Sequence, residues 1–147
     1  MEGEFQEKVI QVSRVSKKTS GGNKIGFSVI VVVGDKKAKV GVGLGKAADV
    51  ASAVRKGVAY ARKHMITVPI VKTTIPHEIR IKKGAAKILL KPAPEGTGIR
   101  AGGAVRAVVE AAGIRNIVSK ILGTDNKASN VYATFAALQE LSADQKE

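Results

Sequence analysis

The segment Ile25 to Val33 most constrains the fold, because it is rich in β-branched residues and carries the strongest strand signal in the sequence. Gly34 to Lys37 predicts a turn after it, and Ala38 to Val42 predicts an antiparallel partner strand. Val9 to Val15 predicts a further strand, whose apolar residues change phase between its first two positions, as at a β-bulge. Together these patterns predict a three-stranded antiparallel sheet.

A helix is predicted from about Ala48 to Met65, after the closely spaced Gly41, Gly43 and Gly45. The apolar residues expected to face the sheet recur at three- and four-residue steps: Val50, Val54, Val58, Ala61 and Met65. Basic residues form a different face: Arg55, Lys56, Arg62 and Lys63. The first half of the chain therefore predicts a sheet with one amphipathic helix packed on it.

Two Xaa-Pro pairs, Val68-Pro69 and Ile75-Pro76, predict an extended linker, because proline disfavours helix at the residue before it. We expect a domain boundary near Lys72, which divides the chain into residues 1–72 and 73–147. Each half has only about 70 residues and gains stability from packing on its neighbour.

The second half predicts short alternating elements, so the fold class expected for the whole chain is α+β. In chain order they are a hairpin of Ile79 to Ile81 and Lys87 to Lys91, an irregular loop from Pro92 to Gly98, a helix from Gly103 to Ala112 and a strand within Ile114 to Leu122. Gly113 is expected to end the helix. Ser129 is expected to cap a last helix on which Val131, Phe135 and Leu138 share a face.

The charge balance points to a polyanionic partner, since 25 Lys and Arg against 12 Asp and Glu give a net charge of +13. Nucleic acid is the usual polyanion, and an anionic membrane surface is the other. Proteins that read single strands stack bases on aromatic rings, and three Phe, two Tyr and no Trp leave little for such a platform. We therefore expect duplex or folded RNA held through its phosphates. A basic surface without a partner is the alternative interpretation.

Basic residues flank the small polar segment Ser20 to Asn23 and line one face of the predicted helix. A flexible basic loop beside a basic helix is the arrangement by which double-stranded-RNA domains bridge grooves. A merely solvated hairpin tip is the alternative. The residues expected to contact phosphates are Arg14, Lys17, Lys18, Lys24, Lys46, Arg55, Lys56 and Arg62.

The glycine-rich segment Gly41 to Lys46 does not match a phosphate-binding loop, because Val40 stands where the first glycine is needed and Ala47 follows the lysine. Read as a dinucleotide-binding loop, it lacks the acidic residue about twenty positions later. Gly45 and Lys46 are instead expected at a helix N-terminus, which suits an RNA phosphate. The alternative is that the glycines only relieve crowding between strand and helix.

Catalytic and metal chemistry are not expected. The chain has no cysteine, and its two histidines, His64 and His77, are isolated. No paired carboxylates, serine elbow or long apolar span is present, and Met1 to Glu4 is acidic, unlike a secretory signal. We expect an intracellular protein that is not an enzyme and has no cofactor, metal, membrane partner or small-molecule substrate.

Five segments resemble small-subunit ribosomal protein five of bacteria: Val31 to Asp35, Lys39 to Ala47, Thr74 to Glu78, Leu90 to Gly98 and Ala101 to Val108. The resemblance covers nearly the whole chain, and its proline- and glycine-rich string is specific to that family. It implies an N-terminal domain like a double-stranded-RNA-binding fold without its first helix. It also implies a C-terminal two-layer α/β domain with a left-handed crossover.

The resemblance further implies a cytoplasmic protein built into the small ribosomal subunit, where it binds rRNA and contributes to assembly and translational accuracy. The implied partners are small-subunit proteins four and eight, with proteins three and four also lining the channel through which mRNA enters. A free-standing duplex-RNA chaperone or regulator is the alternative function.

Two sets of site residues follow from the pattern and the resemblance together. Thr19 to Lys24 corresponds to the loop near the rRNA helix where spectinomycin binds, and Gly98 and Arg106 lie in the region facing protein four. The complete RNA-binding set is Arg14, Lys17, Lys18, Thr19, Ser20, Gly21, Gly22, Lys24, Lys36, Lys37, Gly45, Lys46, Arg55, Lys56 and Arg62. The expected protein-partner set is Gly96, Gly98, Arg100, Gly102, Gly103 and Arg106.

The chain also departs from the family pattern. Lys36 and Ala38 replace residues that are often glycine, and Val42 replaces a common phenylalanine. Tyr132 replaces a common arginine, so a polar contact made by that arginine is not expected here.

Overall fold

A computed structural model describes residues 5–144, and the side chains of residues 17–19, 23, 143 and 144 lie outside that description. The elements are β1 (Gln6–Thr19), β2 (Gly22–Gly34), β3 (Lys39–Ala47), α1 (Val50–Lys63), β4 (Ile66–Thr67), β5 (Ile79–Lys83), β6 (Ala86–Pro92), β7 (Ile99–Arg100), α2 (Gly103–Ala112), β8 (Ile117–Ile121) and α3 (Lys127–Asp144).

The N-terminal sheet is antiparallel with strand order β1-β2-β3-β4, so the predicted three strands are present and the two-residue β4 is added at the edge. Val9 pairs with Val31, whereas Gln11 pairs with Ile30. One extra residue of β1 therefore bulges out at Ile10, where the predicted change of phase lies.

The hairpin between β1 and β2 is longer and tighter than predicted. Lys17 pairs with Lys24 and Thr19 with Gly22, so the turn consists of Ser20 and Gly21 alone. Gly22 adopts a φ of 126°, a conformation that glycine reaches without steric cost. The loop predicted around Ser20 to Asn23 is therefore shorter than expected, because Gly22 and Asn23 are paired with Thr19 and Lys18. The paired segments Val12–Thr19 and Gly22–Val29 are termed the β1–β2 ribbon.

The three glycines before the helix lie inside β3 and beneath α1. A methyl group on Gly41, Gly43 or Gly45 would overlap a backbone carbonyl oxygen of α1. The close approach explains why the buried residues of α1 are small: Ala53, Gly57 and Ala61. The predicted apolar stripe is correct at Ala61 but wrong at Val50, which is exposed, while Val54, Val58 and Met65 flank the contact half-buried.

Helix α1 begins later than predicted. Asp49 caps it, and its carboxylate accepts a hydrogen bond from the Ser52 backbone N–H at 2.9 Å. Gly45 and Lys46 belong to the preceding strand, and Gly45 is buried. The predicted position of these two residues at the helix N-terminus is therefore wrong, whereas their contact with an RNA phosphate stays a prediction. The alternative, relief of crowding between strand and helix, describes the glycines.

The other face of the N-terminal sheet packs on the C-terminal helices. Ile30, Val32, Val40 and Val42 belong to one buried cluster with residues of α2, α3 and the C-terminal sheet. The β2–β3 turn adds a polar contact there, because its backbone N–H groups donate to the last carbonyls of α2. Lys36 donates to Ala111 at 3.0 Å, and Ala38 donates to Ala112 at 2.8 Å. The two halves of the chain thus share a continuous core.

The segment predicted as an extended linker is held by specific hydrogen bonds. Thr73 and Lys72 have positive φ angles of 87° and 50°, and Val71 bridges to Thr74. The carbonyl of Thr73 accepts the backbone N–H groups of Arg115 and Asn116 at 2.9 and 3.1 Å. The segment is therefore a fixed turn packed on the C-terminal half. The domain boundary near Lys72 stays a proposal.

The C-terminal sheet has the order β5-β6-β8-β7, antiparallel except for β7 and β8, which are parallel and joined through α2. Helix α2 has the predicted bounds, and Gly113 ends it with a φ of 95°. Helix α3 begins before Ser129, because Asn126 accepts the Ser129 backbone N–H at 3.1 Å and acts as the cap instead. Val131 and Leu138 are buried and Phe135 is half-buried, as the shared face predicted.

Candidate nucleic-acid interface

The basic face of α1 is exposed along its length. Arg55 donates to the Ser52 hydroxyl at 3.1 Å, and the Lys56 ammonium donates to the Lys46 carbonyl at 3.3 Å. Neither side chain forms a salt bridge with a carboxylate among the described residues, and the charge of Arg55 is one of the smaller causes of the lowered Asp49 pKa. Both cations are therefore available to an external anion.

Arg62, in contrast, is paired with residues near the start of β1. Its guanidinium pairs with the Glu7 carboxylate at 3.0 Å and lies 5.6 Å from the centre of the Phe5 ring. The pair is about half exposed, so its net contribution to stability is small. Arg62 fastens the start of β1 to α1 and has less charge to offer a phosphate than Arg55 or Lys56.

Lys46 is exposed, but it alternates along β3 with residues that face α1. Its side chain therefore lies on the sheet face opposite α1. Lys56 contacts the backbone carbonyl of Lys46 and not its side chain, so the two lysines do not form a pair of neighbouring charges.

The other predicted contacts lie on the β1–β2 ribbon. Arg14, Ser20, Gly21, Gly22 and Lys24 are exposed along it and at its tip. A side chain added at either glycine would meet nothing within 4 Å. The side chains of the three remaining predicted residues lie outside the described part of the chain: Lys17, Lys18 and Thr19.

The ribbon also exposes apolar residues on both faces. Val12, Val15 and Ile25 are 48%, 43% and 47% exposed. Exposed apolar residues beside cations indicate that the ribbon is an interaction surface.

Lys36 and Lys37 lie on the β2–β3 turn, and both are exposed. Lys36 lines an open cavity of about 510 Å³ together with Arg106, Glu110 and Arg115. Arg106 pairs with Glu110 at 2.9 Å. A predicted RNA-binding residue and a predicted partner-binding residue thus share one groove between the turn and α2, which the sequence did not indicate.

The predicted protein-partner residues cluster around the loop before α2. Gly96 and Gly98 have positive φ angles of 96° and 77° and open space around them, so their backbone conformation explains the glycines. The backbone N–H of Gly98 donates to the side chain of the buried Asn116 at 2.9 Å. Gly102, Gly103 and Arg106 are exposed at the start of α2, and Arg100 is exposed on β7.

Sequence reasoning missed a group of cations on the C-terminal sheet. Its two faces differ, since one packs on α2 and α3 and the other, termed the outer face, carries polar residues. The outer face holds Glu78, Arg80, Lys82, Lys87, Leu89, Lys91, Arg100, Val118, Lys120 and Leu122. The alternation Ile79-Arg80-Ile81-Lys82 is the signal that could have revealed it.

Among the side chains that the structure describes, two ionisable groups have shifted pKa values. Hydrogen bonds from Ser52 hold the pKa of the Asp49 carboxyl below its ordinary value of 3.8. Burial raises the pKa of the Tyr132 hydroxyl. The Tyr60 ring stacks on His64, with the ring centres 4.1 Å apart.

The described residues contain no group of three or more acidic or histidine side chains that could hold a metal ion. Within residues 5–144, the helices are all too short or too polar to cross a bilayer.

Comparison with known proteins gives a consistent result for both halves. Residues 5–69 match the model of the family described as ribosomal protein S5, N-terminal domain, and residues 81–146 match ribosomal protein S5, C-terminal domain. Small ribosomal subunit protein uS5 of Chloroflexus aurantiacus is 50% identical over 140 residues, which cover 95% of this chain and 79% of that protein.

Two further relatives carry the same name. The protein of Thermotoga neapolitana is 51% identical over 138 residues, which cover 94% of this chain and 78% of the relative. The protein of Thermosynechococcus vestitus is 51% identical over 146 residues, which cover 99% of this chain and 84% of the relative.

Proposed function

The chain belongs to the ribosomal protein S5 family, and we propose that it is a structural component of the small ribosomal subunit that binds rRNA and neighbouring ribosomal proteins. It is not an enzyme. Its chemistry is the neutralisation of phosphate charge and the fixing of RNA shape, which a net charge of +13 supports.

The observation that carries the RNA contact is the pair of exposed cations Arg55 and Lys56 on α1, which form no salt bridge among the described residues. They follow the end of β3 that pairs with Phe27, near the β1–β2 ribbon. The ribbon and the helix are two separate basic surfaces held in place by one sheet. Folded RNA with a groove between two phosphate ridges can contact both surfaces at once. The ribbon residues from Ser20 to Lys24 then lie near the rRNA helix where spectinomycin binds.

We also propose specific protein partners. The loop of Gly96 and Gly98 and the start of α2 at Arg106 face small-subunit protein four, and another surface contacts protein eight. With proteins three and four, the chain lines the channel through which mRNA enters. A rigid contact at Arg106 would influence translational accuracy by holding protein four in a fixed position. The location that follows is the small subunit in the cytoplasm.

Sedimentation of tagged full-length chain with purified small subunits tests the proposal. We expect wild-type chain to co-migrate with subunits through high salt. Replacing both helix cations, R55E/K56E, should reduce RNA affinity and incorporation while leaving the urea midpoint unchanged, because both side chains are exposed. The matched control reverses two exposed cations elsewhere, K72E/K127E. Wild-type chain that stays at the top of the gradient, as a free-standing chaperone would, contradicts the proposal.

A further inference from the structure

The outer face of the C-terminal sheet carries an excess of one charge. Its cations lie on all four strands: Arg80, Lys82, Lys87, Lys91, Arg100 and Lys120. Among the described residues, Glu78 is the single carboxylate on this face, and it pairs with Lys91 at 3.8 Å. The other five have no acidic partner among the described residues.

The cations surround an apolar centre. Leu89 is only 4% exposed, yet it belongs to neither buried cluster of the molecule. Its register partners are Arg80 on β5 and Lys120 on β8, and Lys87 and Lys91 lie two positions away on its own strand. The aliphatic stems of these long side chains therefore cover Leu89 and hold their charged ends around it.

The arrangement destabilises the fold of the isolated chain through charge repulsion. Lys82 and Lys87 lie directly opposite each other in the β5–β6 hairpin, and like charges at such positions repel. Neighbouring strands are about 4.8 Å apart, so the six charges form a closely spaced grid. A polyanion laid across the sheet would remove this repulsion.

We propose that this outer face is a second RNA-binding surface, which holds the phosphate backbone of folded RNA independently of the ribbon and α1. The inference rests on the proposed function and adds a surface to it. The sheet face carries none of the five aromatic residues, so it offers no platform for stacked bases and suits a structured backbone.

An acidic protein surface is the other conceivable partner, and the composition argues against it. Lysine is depleted at the centres of protein–protein interfaces, whereas four lysines lie on this face: Lys82, Lys87, Lys91 and Lys120. Flexible point charges of this kind are typical of phosphate contacts that carry no sequence information.

The experiment measures how the affinity of full-length chain for small-subunit rRNA, and for a 16-base-pair mixed-sequence RNA duplex, varies with salt. The variant R80Q/K87Q/K120Q removes three outer-face cations. The control K8Q/K72Q/K127Q removes three exposed cations elsewhere. If each lost contact lowers the slope of log K against log salt by about 0.9, the slope for rRNA falls by about 2 to 3 for the variant. The control slope should be unchanged.

A charge-conserving variant, R80K/K87R/K120R, keeps the experiment interpretable if the glutamines disturb folding, because it should retain wild-type affinity and slope. An outer-face variant that is folded and binds rRNA with the wild-type slope overturns the inference. Normal rRNA binding combined with loss of a ribosomal protein from reconstituted subunits also overturns it, in favour of a protein partner.

The R55E/K56E variant is measured in parallel. If it loses affinity while the outer-face variant does not, the proposed function stands and this inference fails. If wild-type chain does not bind rRNA, the proposed function itself fails.

Discussion

The two sheets of the molecule differ in how many of their faces are covered. The centre of the N-terminal sheet, at Val29 to Val33, is buried on both faces, by α1 on one side and by α2 and α3 on the other. The C-terminal sheet is buried on one face and carries cations on the other. The strand sequences reflect this difference, because Val29 to Val33 is apolar without a break while Ile79 to Lys83 alternates.

The continuity of apolar residues in a strand therefore indicates whether one or both faces of its sheet are covered. Where both faces of a sheet are covered, binding residues must lie outside the covered part, which here means the β1–β2 ribbon and the exposed face of α1. A half-covered sheet can also carry function on its open face. The charged residues on that face are therefore informative, whereas charges on loops are common.

The largest effect is expected where the covered sheet is most tightly packed. Gly43→Ala places a methyl group against the Gly57 carbonyl and 2.9 Å from the Ala61 nitrogen, both backbone atoms of α1. The free energy of unfolding should fall by about 3 kcal/mol. Urea denaturation measures it. Gly21→Ala, which meets nothing within 4 Å, is the control, and an equal effect of the two changes would contradict the packing.

Adjacent leucines on opposite faces of β6 test the one-sided burial directly. Leu90 is fully buried in the main core, whereas Leu89 is covered on the outer face. Leu90→Ala should cost about 3 kcal/mol because a rigid cavity remains. Leu89→Ala should cost about 1 to 2 kcal/mol, since flexible stems can close over the gap. Equal losses in thermal or urea unfolding would mean that both faces are packed.

A smaller, stabilising effect is expected at the β2–β3 turn, which is hydrogen-bonded to α2. Ala38 has a φ of 97°, which is strained for any residue with a side chain. Ala38→Gly should raise the free energy of unfolding by about 1 kcal/mol, after the entropic cost of glycine in the unfolded chain is subtracted. Lys37→Gly, at a neighbouring position without a positive φ, should instead destabilise. A destabilised Ala38→Gly variant would contradict the strain.

The smallest effect concerns the cap of α1. The pKa of the Asp49 carboxyl is lowered in the folded chain, so its stabilising contribution is complete above the unfolded pKa and is lost as the pH falls through the folded value. Asn also caps helices but does not titrate. From pH 6 to pH 2.5, the urea midpoint should therefore fall more in wild-type chain than in Asp49→Asn. Equal decreases would contradict the role of the carboxylate.

The elements with clear chemical signals could be predicted from the sequence. The bulge at Ile10 and the end of α2 at Gly113 were predicted because a phase change and a glycine stop have simple structural causes. The strand predicted to end at Val42 continues to Ala47, and Gly43 to Lys46 escaped the strand prediction because alternating glycines give no apolar strand pattern. The contact of Ala53, Gly57 and Ala61 with the sheet is equally hidden, because small residues contribute little to an apolar stripe.

Of the candidate interface, the basic face of α1 and the ribbon could be predicted from the positions of the cations. The alternation in β5 indicates one strand of the outer face of the C-terminal sheet, but the whole face could not be predicted, because the register must place the distant β8 beside the β5–β6 hairpin. Pairing between strands is a long-range property that local patterns do not contain.

The salt dependence of rRNA binding by wild-type chain tests the central claim most directly. If six to ten phosphates are held by the cations of the ribbon, α1 and the outer face, affinity should fall roughly 10³- to 10⁵-fold between 50 and 200 mM salt. A profile that is flat over this range would contradict an interface built from phosphate contacts.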